Sequence, residues 1–507
     1  MKGRSLKAVF ILFFFIVFHS CYAKSIVIDN SIDLRGDTLR FPSNHVVLFE
    51  NNSIISNGVI VSNNNRFKNA KLRNVTIVGE ISKIDGCWYA DSDSLKVKDF
   101  QYFLNSVSKT NSKGYFSKVV AVNLTNHAII RNNTYVDFHR CTLYKAGGSV
   151  MNEGYIKETY DTKNICLENL SIRNKGRQRT IAMRFIGVKN LKIKNLNFYD
   201  DSEAYESDGQ GDWCMRLQGV DIVLDKINID NYKSGIWADG IHAERVENFR
   251  LTNFNIRSGD DCIAIHNNMN DSIHHITFDE SGYCGFIPRH TKNVVVKNGL
   301  LCTYMARLLF MGAEKHVDPG FSIEDVSFSN IRTIAGEKGQ GIHTIDLRKN
   351  ADSPIRNIEY RNIKIAFNMC SIVVGLDSQN PKGFDNITYS NVKGINKYPY
   401  NVSHFSQGVF LNNAHSVTFN NCTFESSNKY PLSVTSSTNI TFKDSHINLA
   451  KSVMSPQIYN SQDVKFIGGK LNSAEPIRIY GKSTVFCEDK SLMSIFTTSE
   501  DSKIRTK

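Results

Sequence analysis

The stretch Asn190-Leu191-Lys192-Ile193-Lys194-Asn195 decides the fold. Two asparagines five residues apart enclose a short alternation of apolar and charged residues, the period of a strand with one face buried. The same frame recurs with Asn164 and Asn169, Asn248 and Asn253, Asn293 and Asn298, Asp325 and Asn330, Asn357 and Asn362, Asn386 and Asn391, and Asn439 and Asp444. Weaker copies start at Asp221, His274, Ser416 and Asp463. Asparagine and aspartate suit corners because they tolerate left-handed backbone and hydrogen-bond nearby peptide groups.

Copies 19 to 32 residues apart match one turn of a coil that buries its apolar face only against its neighbours. Such coils stack at roughly 4.8 Å, the spacing of paired strands. Only nine prolines occur in 507 residues, as expected of strands that donate hydrogen bonds to both sides. A β-sandwich would show similar turn signals, but a dozen copies in one phase favour the solenoid. The expected class is all-β, a single-stranded right-handed parallel β-helix with an N-terminal strand and helix cap. The repeat spans about 116–485, after a distinct N-terminal β region (24–115) and before a polar tail (486–507). Within 24–115, Asp93 to Ser108 reads as an amphipathic helix with Val97, Phe100 and Leu104 on one face.

Lys2, Arg4 and Lys7 precede an apolar run from Ala8 to Phe18, too short to span a bilayer and suited to a signal peptide covering 1–23. Cleavage after Ala23 is the first reading, with lipidation of Cys21 the alternative, so the protein is expected outside the cytoplasm or on the cell surface. Ten cysteines follow Cys21 without metal-site or disulfide-scaffold spacing, and Cys262, Cys302 and Cys422 read as small buried side chains. Gly339-Gln340-Gly341-Ile342-His343 lacks the strand-to-helix context of a phosphate loop. No cofactor or metal is expected. The net charge of +12 suits an acidic polysaccharide; no nucleic-acid motif and no membrane span is found. A capped solenoid needs no partner, so a monomer is expected.

Chemistry concentrates in Trp237-Ala238-Asp239-Gly240-Ile241-His242 and Ser258-Gly259-Asp260-Asp261-Cys262-Ile263-Ala264-Ile265-His266. Asp239 and Asp260 lie 21 residues apart, about one coil, so three carboxylates are expected to crowd on adjacent rungs. Crowding separates their proton affinities, the condition for one acid and one base to act together. Neighbouring Asp260 and Asp261 share one cleft only if the chain bends, which Gly259 permits. Trp213 and Trp237 are candidate sugar-stacking walls. His242, His266, Arg289, His290, Arg307 and Lys315 are candidate substrate contacts.

Gly259-Asp260-Asp261-Cys262 resembles the signature of the family 28 glycoside hydrolases, the polygalacturonases and rhamnogalacturonan hydrolases. Ala238-Asp239-Gly240-Ile241 resembles that family's Asn-Thr-Asp-Gly-Ile segment at the same separation. The resemblance implies an inverting hydrolase of a pectin-like polysaccharide, with Asp261 as general acid and Asp239 and Asp260 activating water. Ser281-Gly282-Tyr283-Cys284-Gly285 stands where the family's Gly-His-Gly is expected one coil later, and no Arg-Ile-Lys motif is found. Two other readings use the same residues. In a β-helix lyase the basic cluster Arg289, His290, Arg307 and Lys315 abstracts a proton and the aspartates bind calcium. In a non-catalytic binding solenoid, adhesin-like or tailspike-like, they only turn corners.

Overall fold

The computed structural model describes residues 24–174, 180–200, 213–234, 238–266, 280–304, 306–313, 322–336, 340–346, 354–367, 372–375, 383–396, 407–425, 430–449 and 455–507. The expected signal segment, Trp237, His274 and Lys315 lie outside them. Among the described residues every strand pairing is parallel except one short hairpin and one isolated bridge. One continuous sheet of 34 strands winds through the molecule, which is a single-stranded parallel β-helix.

The expected corner residues carry the turns. Asn190 and Asn195 have φ of 56°, and Asn357, Asn362, Asn386 and Asn391 fall between 53° and 58°. They do more than tolerate left-handed backbone. Each amide donates to the equivalent side chain one coil earlier: Asn362 Nδ2 to Asn330 Oδ1 at 3.1 Å, and Asn391 Nδ2 to Asn362 Oδ1 at 3.0 Å. The ladder ties each corner to the next. Inside, Phe328, Tyr360, Tyr389, Phe419, Phe442 and Phe466 form a stack with centroids 4.7 to 5.1 Å apart. Stacked pairs of this kind add about 0.5–1.5 kcal/mol each beyond burial. The nine described cysteines are free thiols, and Cys262, Cys302 and Cys422 are buried as expected.

Helix α1 (Val97–Thr110) buries Phe100, Phe103, Leu104 and Val107. It starts later than the sequence suggests because Ser94–Lys96 is a strand paired with Ala121–Asn123. Strand Leu72–Glu80 covers the helix, and Ile77 N–H donates to Ser106 Oγ at 2.8 Å. The C-terminal stretch read as a tail instead adds strands Phe496–Thr498 and Lys503–Thr506 to the last rungs. These strands pair with a preceding rung on one side only.

Seven strands position the site: β1 (Met183–Asp200), β2 (Met215–Asp230), β3 (Ile241–Ser258), β4 (Ile263–His266), β5 (Thr291–Thr303), β6 (Arg307–Ala313) and β7 (Gln340–Asp346). Met183, Met215, Ile241, Ile263, Leu309 and Ile342 stack as one inward column. That column fixes the height of every residue beside it.

Candidate active site

Counting back two residues from the core column puts Trp213, Asp239, Asp261 and Arg307 in one row across four successive rungs. Backbone bonds follow the row: Cys214 N–H to Asp239 O, Gly240 N–H to Asp261 O, and Cys262 N–H to Arg307 O, at 2.8 to 3.1 Å. Gly240 is required here, since a Cβ would lie 2.4 Å from Cys262 O and 2.6 Å from Ile256 Cγ2. The strand ends at Ser258, and Gly259 N–H and Asp260 N–H both donate to Ala238 O at 3.1 Å. This bend brings both neighbouring aspartates to one side. One oxygen from each of Asp239, Asp260 and Asp261 can be chosen so that all three lie within 4.8 Å of one another.

The three carboxyl groups are held differently. Asp261 is buried, and Arg307 grips it with both prongs, Nε to Oδ1 at 2.8 Å and Nη2 to Oδ2 at 2.6 Å, with its backbone N–H adding 3.0 Å to Oδ1. Such a charge-assisted fork favours the ionised carboxylate. The Arg307 guanidinium also lies 3.8 Å over the ring of Phe310, which fixes its plane. Asp239 is buried and accepts Asp261 N–H on Oδ1 at 3.0 Å. Burial first, then the charges of Asp260 and Asp261, push its carboxyl well above the usual carboxylate range. Asp260 is the partly exposed member of the trio.

Behind the trio lies a second, buried row. His242, two residues past Gly240, points its Nε2 at Asp239 Oδ2, 3.2 Å away. Trp213 meets the imidazole edge-on at 4.3 Å. Glu244, the next outward residue of β3, is 1 % exposed. Its Oε2 accepts Arg216 Nε at 3.2 Å, Arg216 Nη2 at 2.8 Å and Gln218 Nε2 at 2.7 Å. Burial pushes Glu244 up, but the charges of Arg216 and then His242, with these hydrogen bonds, hold it below its ordinary value. Further along the solenoid, burial and then the Arg307 charge push His343 well below its ordinary value, leaving a neutral imidazole at neutral pH.

Of the other sequence candidates, Arg307 is brought to the trio and Trp213 to His242. His290 instead sits level with the corner at Arg245, where its Nδ1 lies 2.9 Å from Ser322 Oγ. Arg289 closes a hairpin through its N–H to Gly282 O at 2.8 Å. His266 is level with Glu244 by its backbone; its side chain, like Trp237 and Lys315, lies outside the described residues. The expectation that Ser281–Gly285 follows the aspartates by one coil is corrected, because Arg307 stands on that rung. The interposed chain lengthens this one coil, so that Asn293 bonds Asn248 across 45 residues. Sequence reading missed Arg216, Gln218 and Glu244, although apolar-polar alternation in Met215–Gln218 and Ile241–Glu244, 26 residues apart, was the available signal.

Residues 131–285 match the family model described as glycosyl hydrolases family 28. That segment contains the three aspartates, Trp213, Arg216, His242 and Glu244, and stops before Arg307. No curated protein matches the chain. Five chains among solved structures match. One is a family 28 exopolygalacturonase from Yersinia enterocolitica, at 12 % identity and a TM-score of 0.39, covering 75 % of this chain and 79 % of that one.

Proposed function

We propose that this chain, a glycoside hydrolase by its family 28 segment, cuts an acidic, pectin-like polysaccharide outside the cytoplasm by single displacement with inversion. The observation that carries the proposal is the trio itself: three carboxyl groups on two rungs with an oxygen of each within 4.8 Å of the others, each in a different environment. One cluster can then hold a proton donor and a water-activating base at the same pH. The bond-breaking step needs a proton on the leaving oxygen while a base removes one from water at the anomeric carbon.

Asp261 is spoken for by Arg307, whose fork favours its charge. We therefore assign the donor role to Asp239, whose carboxyl burial and the charges of Asp260 and Asp261 push well above the usual carboxylate range, rather than to Asp261. Asp260, the partly exposed carboxyl, is the base, and Asp261 orients water and balances charge beside it. The short separations approach the roughly 5 Å of a retaining pair rather than the 6.5–9.5 Å usual for inversion. Inversion accordingly rests on the family resemblance and is open to direct measurement. Acidic substrate is supported by the excess of cationic groups, +12 over the chain.

The test is a panel of acidic and neutral polysaccharides followed simultaneously for new reducing ends and for ultraviolet absorbance. Reducing ends without absorbance, abolished by Asp260→Asn and by Asp239→Asn, are expected, each loss being at least about 10²-fold. Absorbance from an unsaturated product that survives both substitutions would replace hydrolysis with elimination. Binding without cleavage would leave a carbohydrate-holding solenoid.

A further inference from the structure

We infer that a row of three cations, on the face whose strands lead into the catalytic turn, is a second binding groove that holds an acidic polysaccharide chain along the solenoid axis. This rests on the reading above that the substrate is an acidic polysaccharide. Arg332, Lys364 and Lys393 stand level with one another on the successive strands Ile323–Ala335, Ile355–Phe367 and Phe384–Asn396. All three are exposed, and strand stacking spaces them roughly 4.8 Å apart. With the corner residues Asn330, Asn362 and Asn391 they line a groove of about 360 Å³. Each of those amides gives an N–H to the corner ladder and has a second to offer.

Stability alone does not ask for such a row, because like charges set directly opposite on neighbouring strands repel. Elsewhere the same strands set an acid level with a cation: Arg356 meets Glu324 at 2.9 Å. On earlier rungs Arg257 meets Asp230 at 2.9 Å. Further back along the row itself, Asn197, Asn228 and Asn255 bond one another as a neutral ladder. Among the described residues no carboxylate pairs with Arg332, Lys364 or Lys393. Arg361, just across the asparagine corner, adds positive charge with Glu359 3.9 Å from it, and Glu425 stands level with Ile395. A line of charge one side chain wide fits a linear polyanion with a carboxylate on each sugar better than a planar anionic surface. Ile334, two residues past Arg332 and 50 % exposed, offers an apolar ledge to a sugar face. Asn255 lies on the same row two rungs before Arg332 and five residues before Asp260. Arg332 is therefore within roughly 20 Å of that carboxyl, and a chain held here stays at high local concentration for the catalytic site.

The experiment measures binding of polygalacturonate, with a neutral glucan alongside, to the full-length protein carrying Asp260→Asn so that the probe stays intact. Arg332→Gln, Lys364→Gln and Lys393→Gln are combined in one variant. A control combines Lys68→Gln, Lys83→Gln and Lys98→Gln, which remove equal charge from exposed positions in the N-terminal region. At about fivefold per cation beside an anionic partner, the groove variant is expected to bind polygalacturonate about a hundredfold more weakly at low salt. The control is expected to bind as the parent does. With Asp260 restored, the groove variant should raise KM on the polymer and leave kcat on short oligosaccharides unchanged. A loss of binding under about threefold, or one matched by the control, would overturn the groove. So would a loss seen only on vesicles of anionic phospholipid, which would make the row a lipid contact. Polygalacturonate binding lost with the three cations, while wild type cuts no polysaccharide, would keep the groove and sink the hydrolytic reading. Cleavage by wild type with binding untouched in the groove variant would sink the groove alone.

Discussion

Replacing Arg216 by Met tests whether the row behind the cleft is held by charge. The Arg216 and Glu244 side chains are 7 % and 1 % exposed and meet at 2.8 Å, so solvent screens little of their interaction. Removing one partner of such a pair leaves a buried charge and costs about 3–5 kcal/mol. In a solenoid that opens locally, this corresponds to about 10²- to 10⁴-fold faster amide exchange at Met215–Leu217 and Ile241–Glu244. The pH dependence has a definite sign. In the wild type Glu244 titrates below its unfolded value, so its contribution is present above roughly pH 4.3 and lost as pH falls through the lower folded value. Without Arg216, burial is opposed mainly by His242 and Gln218, and the folded value rises above the unfolded one. The variant's deficit should therefore be largest near pH 8 and shrink towards pH 5. Adding Glu244→Gln should recover most of it. Hydrogen exchange by mass spectrometry at the two pH values is the assay. A deficit under about 1 kcal/mol, or one equal at both pH values, would refute the argument that a charged Glu244 organises this row.

Two further predictions concern stability. Asp239 binds its proton more tightly folded than unfolded, so ionising it costs stability as pH rises past about 3.9. Asp239→Asn should be inactive yet more stable than wild type at pH 7 and equal to it near pH 3, as read by denaturant melts. Tyr389 sits between Tyr360 and Phe419 at 4.8 Å on each side. Tyr389→Ala should cost about 3–5 kcal/mol, while Tyr389→Phe keeps the stack and should cost far less, a contrast visible in thermal melts.

Much of the fold was written in the asparagine pairs, because left-handed corners and an inward β alternation leave local marks. Asn190 and Asn195, or Asn357 and Asn362, could be assigned without any tertiary knowledge. What was missing is register. The sequence aligned Asp239 with Asp260, one coil by count, whereas the core column aligns it with Asp261. Arg307 was recognised only as a nearby cation, since the lengthened coil after β4 hides that it occupies the very next rung. Glu244, Arg216 and Gln218 escaped for another reason. Polar residues at outward positions read as a solvated face, and only the register that sets Leu217 level with Ala243 shows that Gln218 and Glu244 are neighbours on adjacent rungs.

The most direct test of the account is the anomeric configuration of the first product. Proton NMR spectra recorded within seconds to minutes of adding enzyme to a cleaved polysaccharide would separate the released anomer from later mutarotation. The account predicts that the anomer opposite to the original linkage appears first and that Asp260→Asn and Asp239→Asn release none. First appearance of the retained anomer, or of an unsaturated sugar, would contradict a single displacement by water activated at Asp260.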